Sequence, residues 1–138
     1  MAAFATEADV RLRFQLSDTT LVPSALVTSS IADAHIEVLR LLNPAFNVSP
    51  PEGAVVLGEV LLAGAHLFRS LASKDAFDQK QMAIGNQRID AGRRFSALTV
   101  IADLAEKEAW CVLEAYLVDR PFQAPAAATD SIPLLGEE

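Results

Sequence analysis

Two histidines, one cysteine and an acid–His–acid triplet are the residues here whose types could do chemistry. His35 stands between Asp33 and Glu37, which in print looks like a ligand cluster. On a helix, however, residues two apart point about 200° away from each other, so His35 does not share a face with the two acids. Neither His35 nor His66 has a second His or Cys at ligand spacing, and no Glu-x-x-His pair is present to build a di-metal site inside a bundle. No metal or cofactor is therefore expected. His66 reads as a residue at the edge of a core, its ring meeting a backbone or carboxylate partner. Cys111 follows Trp110 within an apolar stretch, which suits a small buried hydrophobe better than a thiolate nucleophile. Trp110 and the phenylalanines read as core, not as a platform for stacking bases. Nucleophile elbows, phosphate loops and dinucleotide glycine patterns are absent. The glycines of "GAVVLGEVLLAG" lie inside an apolar helix and offer no phosphate loop. These residues point to a protein without catalytic, cofactor-binding or metal-binding groups.

The spacing of apolar residues predicts an all-α fold, a small four-helix bundle of one short and three long helices. Thr6 opens "TEADVRLRF" as an N-cap with acids in the first turn, predicting a helix over about 7–15. Ser24 is expected to cap a second helix over about 24–42. Val27, Ile31, Ala34, Val38 and Leu41 recur there in steps of three and four, a narrow apolar stripe. Asn43–Pro44 and Pro50–Pro51 stop that helix. A third helix over about 52–73 is apolar nearly all round, so it must be covered on most sides. Gly58 and Gly64 within it permit close helix approach. Each costs about 1 kcal/mol against alanine mid-helix, and packing between subunits is the expected compensation. A fourth helix over about 95–118 places Leu98, Ile101, Ala105, Val112 and Tyr116 on one apolar face.

Between the last two helices lies "QKQMAIGNQRIDAGRR" (79–94), polar, glycine-containing and basic. The span 74–95 exceeds the roughly 12–15 residues that structureless loops usually reach without a function. Gly85–Asn86 between Ile84 and Ile89 is a turn signal. The expectation is an extended arm or hairpin, with Met82, Ile84, Arg88, Ile89, Arg93 and Arg94 as its contact residues. Residues 121–138 form a Pro/Ala-rich tail, read as extended. It ends in an apolar hook, "SIPLLGEE", with Phe122, Ile132, Leu134 and Leu135 as candidate contacts. Residues 1–120 are thus a single helical domain and 121–138 an appendage.

A chain of 138 residues is long enough to bury a core, and its 51% apolar and 21% charged composition is that of a globular protein. The net charge is −7, but five of the eleven Lys and Arg residues fall within 74–94 beside three acids. That stretch is +2 and the remainder −9. An acidic body repels a phosphate backbone. A lone cysteine cannot form an intrachain disulfide and suits a reducing compartment. "MAAFATEADVRL" has early acids and no long apolar run, so it does not read as a signal peptide. The window 54–72 has the length of a membrane span, but Glu59, His66 and Arg69 interrupt it, and a buried core helix is the better reading.

The order of these pieces resembles a known family. Thr6, Asp9, Val10 and Arg11 form a "T-x-x-D-V-R" opening. Two long apolar helices follow, then an arm with Ile84, Gly85 and Ile89 in an "Ile-Gly-x-x-x-Ile/Val" pattern, a last helix ending "LEAYL" and a loose tail. This resembles the head–tail connector (adaptor, or head-completion) proteins of long-tailed double-stranded DNA bacteriophages, over residues 5–118. The family's arm more commonly carries serine and tyrosine after the glycine, and "NQRIDAGRR" departs from that. The resemblance implies a non-enzymatic structural protein in the neck of the virion, assembled in the host cytoplasm. It implies a homo-oligomeric ring, typically dodecameric, bound to the portal protein and offering a face to the tail or stopper protein. Genomic DNA would pass through its channel without sequence-specific contact, and no membrane is involved. Arm and tail would contact neighbouring subunits and the portal. The alternative is a small helical regulatory or DNA-binding protein that uses the basic 80–94 arm on phosphates. The net charge and the lack of a helix-turn-helix pattern count against it.

Overall fold

The computed structural model describes residues 3–81 and 85–118, and between 78 and 92 only the backbone is described. It is all-α: α1 (Glu7–Phe14), α2 (Ser24–Leu41), α3 (Gly53–Gln81) and α4 (Gly85–Leu113). Single 3-10 turns occupy Pro44–Phe46 and Glu114–Tyr116. Among the described residues the only ladder-like pairing is an isolated antiparallel bridge, Leu42 to Leu117, which ties the ends of α2 and α4 together.

The "T-x-x-D-V-R" opening turns out to be folding machinery. Thr6 Oγ1 accepts the Asp9 amide at 3.2 Å, and Asp9 Oδ2 accepts the Thr6 amide at 3.0 Å, a reciprocal capping box. Val10 is fully buried in the core. Arg11 donates to Glu7 Oε2 (2.8 Å), to the Leu16 carbonyl (3.1 Å) and to the Val22 carbonyl (2.7 Å). A planar guanidinium can hold three acceptors at once in this way. One side chain therefore braces the entire α1–α2 connection. Gln15 ends α1 in the left-handed region at φ 57°.

Ser24 does not cap α2 as expected. Pro23 holds the N-cap position without a side-chain bond, and Ser24 is the first helical residue. Its hydroxyl instead donates to Glu7 Oε2 at 2.7 Å, joining α2 to α1. That bond, with the Arg11 guanidinium, holds the Glu7 carboxyl below its ordinary value. A depressed folded-state value contributes stability above the ordinary carboxylate range, lost as pH falls through the folded value. Ser24→Ala should raise the Glu7 midpoint in an NMR titration and move the acid-side loss of α1 docking to higher pH. An unchanged midpoint would mean that the hydroxyl does not hold Glu7.

The α2 stripe is buried as its spacing predicts, with Val27, Ile31, Ala34 and Val38 in the core and Leu41 half-buried. Helix α3 runs through the middle, packing on α1, α2 and α4. By length and composition it could cross a bilayer, yet 61% of its most apolar window is buried by the rest of the chain.

The third and fourth helices are longer than expected, and the arm differs in kind. Residues 74–81 continue α3 and 85–95 begin α4, so this region is the end of a helical hairpin and not an extended arm. The run "KDAFDQKQ" contains no glycine or proline, and its polarity reports exposure, not loss of helix. Gly85 and Asn86, expected to form a turn, are instead the first two residues of α4.

The buried face of α4 also differs. Ala102, Ala105, Ala109 and Leu113 face the core with Trp110 beside them, and Leu98 is half-buried. Ile101 is exposed, and so is Cys111, against expectation. Three alanines let α4 lie close on α3, which leaves the bulkier aliphatic residues outside.

Candidate functional site

Among the described residues no group of three or more His, Cys, Asp or Glu could hold a metal ion. The two histidines instead form separate pairs between α2 and α3. His66 Nε2 meets Glu37 Oε1 at 2.9 Å, half-exposed, which is the carboxylate partner its sequence position suggests.

The other pair is deep. Glu59 is 0% exposed, and its Oε1 lies 2.8 Å from His35 Nδ1. Glu59 Oε2 accepts the Ala5 amide at 2.9 Å, which pins the segment before α1 onto α3. Phe4 closes the site edge-on to the imidazole, ring centroids 4.9 Å apart. His35 Nε2 is buried without a protein partner. The sequence shows Glu59 only as an interruption in an apolar run. Its partner is 24 residues away on another helix, beyond any local spacing rule. With one carboxyl and one imidazole sealed behind Phe4, this arrangement organises the fold and presents no nucleophile to solvent.

The residues expected to make contacts fall into three groups. Met82 and Ile84 lie outside the described residues, as do Phe122, Ile132, Leu134 and Leu135. Arg88 and Ile89 fall in the first turns of α4, where only the backbone is described. Arg93 is exposed, whereas Arg94 is spent on the hairpin itself, pairing with Asp75 through Nε (2.7 Å) and Nη2 (3.2 Å).

Gly58 and Gly64 are engaged within the chain, not left open for a neighbour. A Cβ on Gly58 would lie 2.3 Å from Leu113 Cγ, and one on Gly64 would lie 2.2 Å from the Phe14 ring. The close approach read from these glycines is real, but α4 and α1 occupy it.

The surface that remains open is the outward side of α4. Val100 (55% exposed), Ile101 (42%) and Leu104 (61%) project together, with Cys111 further along the same side. Val100 and Leu104, four apart, and Cys111, seven further on, share a face, with Ile101 on its flank. Acids frame it: Arg69, reaching from α3, bonds Asp103 Oδ1 at 2.8 Å and Glu106 Oε1 at 2.6 Å. Partial burial opposes the charge on Arg69, but these two carboxylates more than offset that and hold it above its ordinary value. The α3–α4 pair is thus locked from inside by alanines and from the flank by Arg69, and it presents a rigid apolar strip. Sequence periodicity hid this strip because it assigned Ile101 to the core face.

Compared with protein-family models, with curated proteins and with solved structures, the chain finds no match in any of the three.

Proposed function

We propose that the protein is a structural adaptor, a head–tail connector that assembles as a ring between the portal and the tail or stopper of a long-tailed bacteriophage. The observation that carries the reading is the unpartnered apolar strip Val100–Ile101–Leu104 on a stiff helical hairpin. A cluster of exposed apolar side chains on one helix is a mark of association. The sequence resemblance supplies the kind of assembly. A ring needs one patch of each subunit to meet a different patch of the next. The α4 strip replaces Gly58 and Gly64 as the lateral contact, since those glycines are filled from within. The net charge of −7 suits a channel through which DNA must slide without sticking.

The test is native mass spectrometry and electron microscopy of the protein alone and with portal protein. Rings are expected for the native chain. Val100→Asp with Leu104→Asp should abolish them while the circular dichroism spectrum is kept, because both side chains already face solvent. A native chain that stays monomeric and ignores the portal would overturn the reading.

A further inference from the structure

A second open feature lies at the other side of α3. Leu12, Arg13 and Gln15 of α1 and Gly53, Val56, Leu57 and Val60 of α3 line a groove of about 420 Å³, with Asp9 at its rim. Its floor is aliphatic, and Leu12 stands on its wall at 74% exposure. A large apolar side chain left this open beside an apolar floor is an unfilled contact.

The groove sits at the end of the bundle where the chain leaves the described fold. Leu113, the last residue of α4, lies against Gly58, the residue after Leu57. Arg13 Nη2 reaches Glu108 of α4 at 3.6 Å. The Val118 amide bonds the Leu41 carbonyl, which anchors the exit. From there to Ile132 the thirteen residues 119–131 could span about 43 Å extended, or roughly 20 Å as a coil.

We propose that Ile132–Leu135 of the same chain docks in this groove. Residues 132–135 read "IPLL", three aliphatic side chains on a backbone that Pro133 biases toward an extended form. Glu137 and Glu138 follow. They complement Arg13, whose ion pair to Glu108 is long and exposed, and the first turn of α3, which carries no acid of its own. The open amide end of a helix favours negative charge. Space above Gly53 is free, since a Cβ there would meet nothing within 4 Å, so an incoming backbone can approach closely. Tethering converts docking into an intramolecular step at an effective concentration in the millimolar range, so a weak contact suffices. The inference rests on the groove and the reach of the chain, and it stands independently of the ring.

The test uses the full chain with Cys111→Ser and Gly136→Cys, spin-labelled at position 136. Paramagnetic broadening of the Leu12, Val56 and Leu57 methyl signals is expected. Mixing isotope-labelled chains that lack the spin label with spin-labelled chains of natural abundance, by refolding together, should give no broadening. Broadening in the mixture as well would mean that a neighbour's segment occupies the groove, and would overturn the proposal. Absence of broadening in both would do the same. Amide exchange at 134–136 should be about tenfold slower than in a Leu134→Asp, Leu135→Asp variant, as expected for a segment docked about nine-tenths of the time. Equal rates would also overturn it. The two aspartates lie outside the helical body, so an unchanged circular dichroism spectrum separates release of the segment from loss of the fold.

Discussion

Glu59→Ala is expected to lower the unfolding free energy by about 3–5 kcal/mol, the range seen when one partner of a buried pair is removed. The side chain is wholly enclosed and holds two groups at once, His35 Nδ1 and the Ala5 amide. Alanine would orphan both. The His35 ring already has Nε2 buried without a partner, so it would lose its remaining bond. A buried donor left unmade costs about 1–3 kcal/mol, and the vacated volume adds a cavity term. Glu59→Gln keeps the volume and an oxygen for the Ala5 amide, so it should cost roughly 1–2 kcal/mol. His35→Leu combined with Glu59→Leu should lose less than the two single changes added together, because neither leaves the other stranded. Urea unfolding of the four chains measures this directly. A loss below about 1 kcal/mol for Glu59→Ala would mean that the pair is not formed. The same variant should also free the segment before α1, seen as faster amide exchange at Ala5.

Gly58→Val should be the second large loss, about 2–4 kcal/mol, even though helix propensity points the other way. Replacing a mid-helix glycine by alanine normally gains about 1 kcal/mol. Here the first added carbon would sit 2.3 Å from the Cγ of Leu113, and both Leu113 methyls lie within 2.8 Å. Leu113 is fully buried, and its branch point cannot swing aside as the end of a long side chain could. Overpacking of this kind costs about 1–3 kcal/mol, so Gly58→Ala should come out near neutral to destabilising, and valine clearly worse. Leu113→Ala should cost about 2–5 kcal/mol alone, yet much less in a Gly58→Val background, since each change fills what the other empties. Thermal unfolding would show it, at roughly 3–5 °C per kcal/mol for a domain of this size. Additive losses would contradict the contact. Gly64 offers the contrast. Its blocking neighbour is the ring of Phe14, half-buried at the end of α1 and packed edge-on against Phe68 at 5.1 Å. Phe14 is less enclosed than Leu113, so Gly64→Ala should cost less than Gly58→Val.

Much of the backbone course is legible in local spacing. The Thr6 start and the α2 stripe of Val27, Ile31, Ala34 and Val38 depend on neighbours within a turn or two, and the structure has both where the sequence puts them. The stop before Pro44 belongs to the same class. The extended arm was misread because polarity was taken for loss of helix. Residues 74–81 and 85–95 are helical, the first of these runs containing no glycine or proline. The side of α4 that faces inward was misread for a related reason. Size and hydrophobicity favour Ile101, but Ala102, Ala105 and Ala109 go inside, where small side chains let two helices lie close. Cys111 followed Ile101 to the exterior.

By itself, then, the sequence determined an acidic all-α chain, where its first two helices start, and the Thr6 cap of α1, because each depends on charge, spacing or capping chemistry within a few residues. Tertiary structure alone decided what those helices do to each other. It joined Glu59 to His35, put Leu113 over Gly58 and Phe14 over Gly64, and left Val100, Ile101 and Leu104 on the outside. The reason is that a pattern along one helix specifies a stripe but not its partner. Which stripe is buried depends on how near the opposing backbone can come, and that distance is set by small residues on two helices at once.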